Sequence, residues 1–154
     1  MQARSTKLTK SQVIQLDARN EGGLVTVTPE DQDRFNIRVG DAIQACQVAQ
    51  ETEQAHRRFN FLLKRLAEWV LAREDLQTAF VTTRDRVFAF VAIHKTAEYD
   101  RAFEDSLAQL ELELARDPDI KLAVEVISLP PVSEEAMQSF LNSDFTLRFL
   151  GGTG

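Results

Sequence analysis

One cysteine and two histidines are all the thiol and imidazole chemistry this 154-residue chain holds. A single cysteine excludes an intramolecular disulfide and any multi-cysteine zinc site within one chain. Glycine is scarce too, with six residues, three of them in the last four positions. There is no glycine-rich phosphate loop and no Ser-x-x-Lys, His-Glu-x-x-His or Gly-x-Ser-x-Gly pattern. Long hydrophobic runs are missing. The longest uncharged stretch, AIQACQVAQ at residues 42–50, falls far short of the ~20 apolar residues of a spanning helix, so no membrane partner is expected. Basic charge is in deficit, with 18 Lys and Arg against 24 Asp and Glu and a net charge of −6. Nucleic acid would therefore need a local basic patch. The basic start, MQARSTKLTK, lacks the apolar segment of a signal peptide, and a cytoplasmic setting is the expectation.

What is present is an ordinary globular composition, 44% hydrophobic and 27% charged, in a length suited to one domain with its own core. Residues 1–28 read as an N-terminal tail with a weak hairpin or arm, built from QVIQLD and GLVTVT around Asn20-Glu21-Gly22-Gly23. Residues 29–150 read as one α+β domain, and residues 151–154 as a flexible tail. Thr28-Pro29-Glu30-Asp31 is a helix start, with a capping hydroxyl, proline at the first helical position and acids at the positive end.

Apolar residues then recur at helical spacing through Phe35, Val39, Ala42, Cys46 and Ala49 to Phe59, Leu62, Leu63, Leu66, Trp69 and Val70. This spacing predicts a long helix over about residues 41–74, with Gly40-Asp41 as the point where an earlier turn or helix breaks off. LQTAFVTT and RVFAFVAIH, separated by Arg84-Asp85, predict a hairpin. The second of these is apolar on both faces, as a central strand covered on both sides is. Tyr99, Phe103, Leu107, Leu110 and Leu114 mark a second helix, about 98–116, stopped by Asp117-Pro118-Asp119. KLAVEVISL is a third strand, Ser133 caps a short last helix, and FTLRFLGGTG either adds a strand or trails. The strand-strand-helix-strand core implies a small mixed sheet, because a strand-helix-strand crossover is parallel.

Three constellations invite a chemical reading. Glu53 and His56 have the Glu-x-x-His spacing of carboxylate-bridged di-iron helices and share one helix face. The rest of the ligand set is missing, and a surface histidine beside acids of its own helix accounts for the pattern equally well. Arg57, Arg58, Lys64, Arg65 and Arg73 make the second half of the long helix basic, with Phe59, Phe61 and Trp69 interleaved. That pattern suits nucleic-acid stacking, but Glu68 and Glu74 interrupt it and a salt-bridged face is the simpler reading. Asp100 and Glu104, four apart on the acidic second helix, suit a cation or acid–base work. Cys46, with no cationic neighbour in sequence, reads as structural.

The chain therefore reads as a non-catalytic interaction or assembly protein, a small subunit or adaptor, with no cofactor. Its partner is itself, as a homodimer, or a larger protein. Glu51 and Glu53 in the acidic half of the long helix face Arg57, Arg58 and Arg65 in the basic half when two copies lie antiparallel, with Phe59, Leu62 and Leu66 supplying affinity. The alternatives are a metal-binding or enzymatic domain using Glu53 and His56, and nucleic-acid binding through the basic half.

Overall fold

The structure is a computed structural model that describes residues 13–17, 26–27, 31–46, 52–142 and 144–150. The strands are β1 (Ile14–Asp17), β2 (Thr26–Val27), β3 (Leu76–Arg84), β4 (Val87–His94), β5 (Val124–Leu129) and β6 (Thr146–Leu150). The helices are α1 (Gln32–Ala45), α2 (Thr52–Leu71), α3 (Arg101–Arg116) and α4 (Glu134–Gln138). The strands form one sheet in the order β2-β1-β6-β3-β4-β5. β1 runs parallel to β6 and β4 to β5, and the other neighbours are antiparallel. The fold is thus α+β with a mixed sheet. The two N-terminal segments that read as an arm belong to that sheet, and the segment after Asp144 is a strand inside it.

β3 and β4 are joined by a two-residue turn in which Asp85 and Arg86 both have positive φ, 51° and 66°. That conformation matches the twist of the flanking strands but favours Asn-Gly or Asp-Gly. Arginine carries a Cβ penalty of about 1–2 kcal/mol there. Arg86→Gly is therefore expected to stabilise the protein by about 0.5–1 kcal/mol, after the glycine's greater freedom in the unfolded chain is subtracted. A thermal melt higher by roughly 2 °C is the expected reading. An unchanged or lower melt would mean that the Arg86 side chain contributes more than its backbone costs.

β4 is covered on both sides, as its sequence predicts. Phe88, Phe90 and Ala92 join the larger core, to which α1, α2 and α3 contribute. Val91 and Ile93 join a smaller cluster with Phe80, Met137 and Leu141 on the opposite face. The caps follow the sequence where side chains permit. Asp100 accepts from the Phe103 amide at 3.2 Å at the start of α3, and Ser133 accepts from the Ala136 amide at 3.2 Å at the start of α4. α1 is capped at Asp31, without a side-chain hydrogen bond to its first turn. Thr28, Pro29 and Glu30 lie outside the described residues.

The single helix expected over residues 41–74 is two helices. α1 runs straight through Gly40-Asp41 and ends at Cys46, and α2 begins at Thr52. A Cβ added to Gly40 would lie 3.7 Å from the His56 ring. Sixteen residues of continuous helix would separate the two by about 24 Å, so the chain turns back between them and α1 and α2 pack side by side. The apolar stripe continues across the reversal because both helices face the same core. At that distance a side-chain methyl would be in ordinary contact with the ring, so the His56 packing does not require glycine at 40.

Candidate functional site

The helix that suggested self-association is engaged by its own fold. Phe59, Leu62 and Leu66 are fully buried in the larger core. An antiparallel dimer built on them would have to expose that core, so these three side chains are unavailable to a second copy. The basic residues of α2 divide their attention. Arg58 donates to the Pro118 carbonyl at 3.1 Å, and Arg65 pairs with Glu113 of α3 and reaches Glu68 at 3.9 Å, while Arg57 is exposed. Of the interleaved aromatics, Phe59 and Trp69 are buried and only Phe61 is exposed. The Trp69 indole donates to Ser106 Oγ at 2.8 Å, which fastens α2 to α3.

The alternative metal pair of Glu53 and His56 falls partly outside the described residues. His56 is half-buried against Gly40. Glu51 and the side chain of Glu53 lie outside the described residues, as do residues 151–154. Cys46 is half-buried beside the core. Burial pushes its thiol up to about 11, so little thiolate exists at neutral pH.

The chemistry gathers instead at the other histidine. β4 and β5 run parallel with α3 between them in sequence, and in such units ligands sit beyond the carboxyl ends of the strands. His94 is the last residue of β4 and is only 6% exposed. Its ring lies against Phe103 of α3, with centroids 4.4 Å apart. Nδ1 has three neighbours on Thr96: the carbonyl at 2.9 Å, Oγ1 at 3.1 Å and the amide at 3.4 Å. The shortest is to an atom that only accepts, so Nδ1 is assigned as the donor there, and Nε2 is the ring nitrogen turned toward the carboxylates. Nε2 is buried with no hydrogen-bond partner. The nearest charged group is Asp100, with Oδ2 at 3.7 Å.

Two carboxylates face this ring. Asp100 is fixed by its capping bond at the start of α3. Asp75 immediately precedes β3, and its carbonyl accepts from the Lys95 amide at 2.8 Å, which ties it to the end of β4. Arg73 holds the Asp75 carboxylate with two parallel bonds, Nε to Oδ1 at 3.0 Å and Nη2 to Oδ2. Burial alone would raise the Asp75 carboxyl. The hydrogen bond and charge of Arg73, its own backbone amide and His94 outweigh that and hold it below its ordinary value. One ligand atom each from Asp75, His94 and Asp100 lie within 4.8 Å of one another.

The cluster opens on two hollows. A cleft of about 210 Å³ is lined by His94, Asp100, Phe103, Glu104 and Ser128, with Tyr99 at its edge. A wider one of about 560 Å³ is lined by Arg73, Asp75, His94, Lys95 and Asp100. His94 and Asp100 line both. Glu104 accepts from Ser128 Oγ at 2.9 Å and braces α3 against β5. Around the two hollows stand five carboxylates, Glu74, Asp75, Glu98, Asp100 and Glu104, against two cationic side chains, Arg73 and Lys95. Carboxylates therefore outnumber Lys and Arg side chains around the crevice.

Sequence reasoning found Asp100 and Glu104 but missed Asp75 and His94. The signal was the hairpin. Counting back from a two-residue turn at Asp85-Arg86 brings the residues before β3 level with the end of β4. A bulge between Leu76 and Thr78 then sets Leu76 opposite His94. Comparison of the chain with family models, with curated proteins and with solved structures yields no match.

Proposed function

We propose that this chain is a non-catalytic binding domain whose working surface is the crevice beyond β4 and β5, and that its ligand presents a positively charged group. The interaction role expected from the sequence is kept, but moved from the α2 stripe to this crevice. One observation carries the reading. Among the described residues the buried His94 Nε2 has no hydrogen-bond partner, and it lies 3.7 Å from Asp100 Oδ2 with Asp75 beside it. Buried polar atoms are almost always satisfied, and an exception calls for a missing partner. In the Nδ1–H tautomer Nε2 and the carboxylates are all acceptors, an arrangement that a cation or a hydrogen-bond donor satisfies. The carboxylate-rich mouth attracts the same class of ligand.

The test is a titration of the isotopically labelled protein, followed by amide NMR, with an alkylammonium salt, a guanidinium salt and a series of divalent chlorides. At least one should shift the amides of residues 94–104 and 128–129 in a saturable way. Asp100→Asn keeps a capping side chain but removes the charge. It should weaken that binding by about 10–100-fold, as loss of a hydrogen bond to a charged group does. Saturable shifts confined to other surfaces, or none with any probe, would refute the proposal.

A further inference from the structure

We infer that the ligand atom of this crevice is a first-row divalent transition-metal ion, held by His94 Nε2 and by one oxygen each of Asp100 and Asp75. This rests on the cation-binding reading above and narrows it. Imidazole nitrogen is the deciding donor. Mg²⁺ and Ca²⁺ prefer all-oxygen shells, whereas one nitrogen and two carboxylates suit Zn²⁺, Co²⁺, Mn²⁺ or Fe²⁺. A metal on Nε2 needs the Nδ1–H tautomer, and the Thr96 carbonyl 2.9 Å from Nδ1 is an acceptor that favours it, while Nε2 has no hydrogen-bond partner. A backbone carbonyl on the far ring nitrogen is the usual outer support of a metal-binding histidine.

The donors sit on firm ground. His94 closes β4, Asp100 caps α3, and Asp75 is bonded through its backbone to Lys95 at the start of the loop between them. Metal–ligand bonds of about 2.0–2.2 Å place tetrahedral donors roughly 3.3 Å apart. The Nε2 to Oδ2 distance of 3.7 Å is near that, and the widest separation in the trio is within 4.8 Å. Asp100 is held by its cap through Oδ1, so a turn that carries its Oδ2 toward Nε2 narrows the difference. Arg73 does not forbid ligation by Asp75, since each carboxylate oxygen has a second lone pair. Its two bonds hold Asp75 as an outer partner holds a ligand. Three protein donors leave at least one coordination position, and that position faces the crevice.

The test uses the full chain after treatment with a chelator. Zn²⁺ is titrated by calorimetry and Co²⁺ by its visible ligand-field absorption, while the imidazole nitrogens are followed by NMR. With two histidines in the chain, His56 is the internal control. The expected result is one ion per chain, with the Nε2 signal of His94 displaced and the His56 signals unmoved. Asp100→Asn, which keeps the helix cap, should weaken Zn²⁺ at least about tenfold, and His94→Gln by about 100-fold or more. Should the glutamine variant fail to fold, the asparagine variant and the wild-type imidazole spectrum decide alone. An alkylammonium, guanidinium, Mg²⁺ or Ca²⁺ effect on residues 94–104 without Zn²⁺ or Co²⁺ binding would overturn the metal and leave the crevice reading standing. Zn²⁺ binding that moves His56 and ignores Asp100→Asn would also overturn it. No response to any cation would overturn both.

Discussion

Phe90→Ala is expected to remove ~3–5 kcal/mol of stability, the usual loss for a fully buried phenylalanine. Phe90 has no exposed surface and sits mid-strand in β4, which pairs with β3 on one side and β5 on the other. Its ring meets Trp69 of α2 edge-on, with centroids 5.7 Å apart, and Phe149 of β6 at 6.0 Å. Trp69 in turn contacts Phe103 of α3 at 6.1 Å. The Phe90 ring therefore links β4 to α2 and β6, and through Trp69 to α3, so its cavity has rigid walls that collapse poorly. A domain of this size has only about 5–15 kcal/mol in all, so the variant should be largely unfolded or insoluble at 37 °C. Urea denaturation of the parent and variant measures the difference. A loss below about 1 kcal/mol would show that this face of β4 is not closed.

Thr82→Val should cost about 2–4 kcal/mol although it removes no volume. Thr82 is fully buried in β3. Its hydroxyl donates to the Phe145 carbonyl at 2.9 Å and accepts from the Asn142 amide at 2.9 Å. Valine has the same shape and neither capacity, so both backbone groups lose their partner, at ~1–3 kcal/mol for each buried group. The surrounding corner rests on the same residues. Thr146 Oγ1 donates to the Asn142 carbonyl at 2.8 Å, and the Asn142 side chain donates to Thr83 Oγ1 at 2.7 Å. Thr82→Ser keeps the hydroxyl and should lose about 1 kcal/mol or less. Denaturation of the two variants, with hydrogen exchange at the Asn142 amide, separates the hydroxyl from the methyl. Equal losses in both variants would refute the role given to the hydroxyl.

The parts that were legible in the sequence are those decided locally. The continuous apolar run of RVFAFVAIH gave the two-sided strand, the short separation from LQTAFVTT gave the hairpin, and Asp117-Pro118 marked where α3 stops. The reversal between α1 and α2 was not legible. Ala42, Cys46 and Ala55 continue the apolar spacing, and periodicity reports which face is buried without reporting whether the axis is straight. Glycine misled as well, since Gly40 lies within α1. The site was hidden for a different reason. Asp75 and His94 are 19 positions apart, one just before β3 and the other at the end of β4, and become neighbours only once the register across the two strands is fixed. Asp100 looked like one of many acids on a solvated helix because nothing in its own segment marks the imidazole facing it.

The strand order also dictates when the sheet can close. β6 lies between β1 and β3, with Ile14 opposite Leu147 and Ala79 opposite Phe149. β1 and β2 precede the other strands in the chain, yet among the described residues their link to the rest of the sheet is β6, the last of the six in sequence. β3, β4, α3 and β5 are contiguous and assemble from local contacts, whereas joining β1 to β6 requires closing nearly the whole chain, the slow kind of pairing. Until residues 146–150 arrive, the nascent chain carries an unpaired β3 edge bearing Ala79, Phe80 and Val81. That edge is a template for another chain's strand, so the interval between the synthesis of β3 and that of β6 is when this protein is most exposed to misassembly and depends most on chaperones.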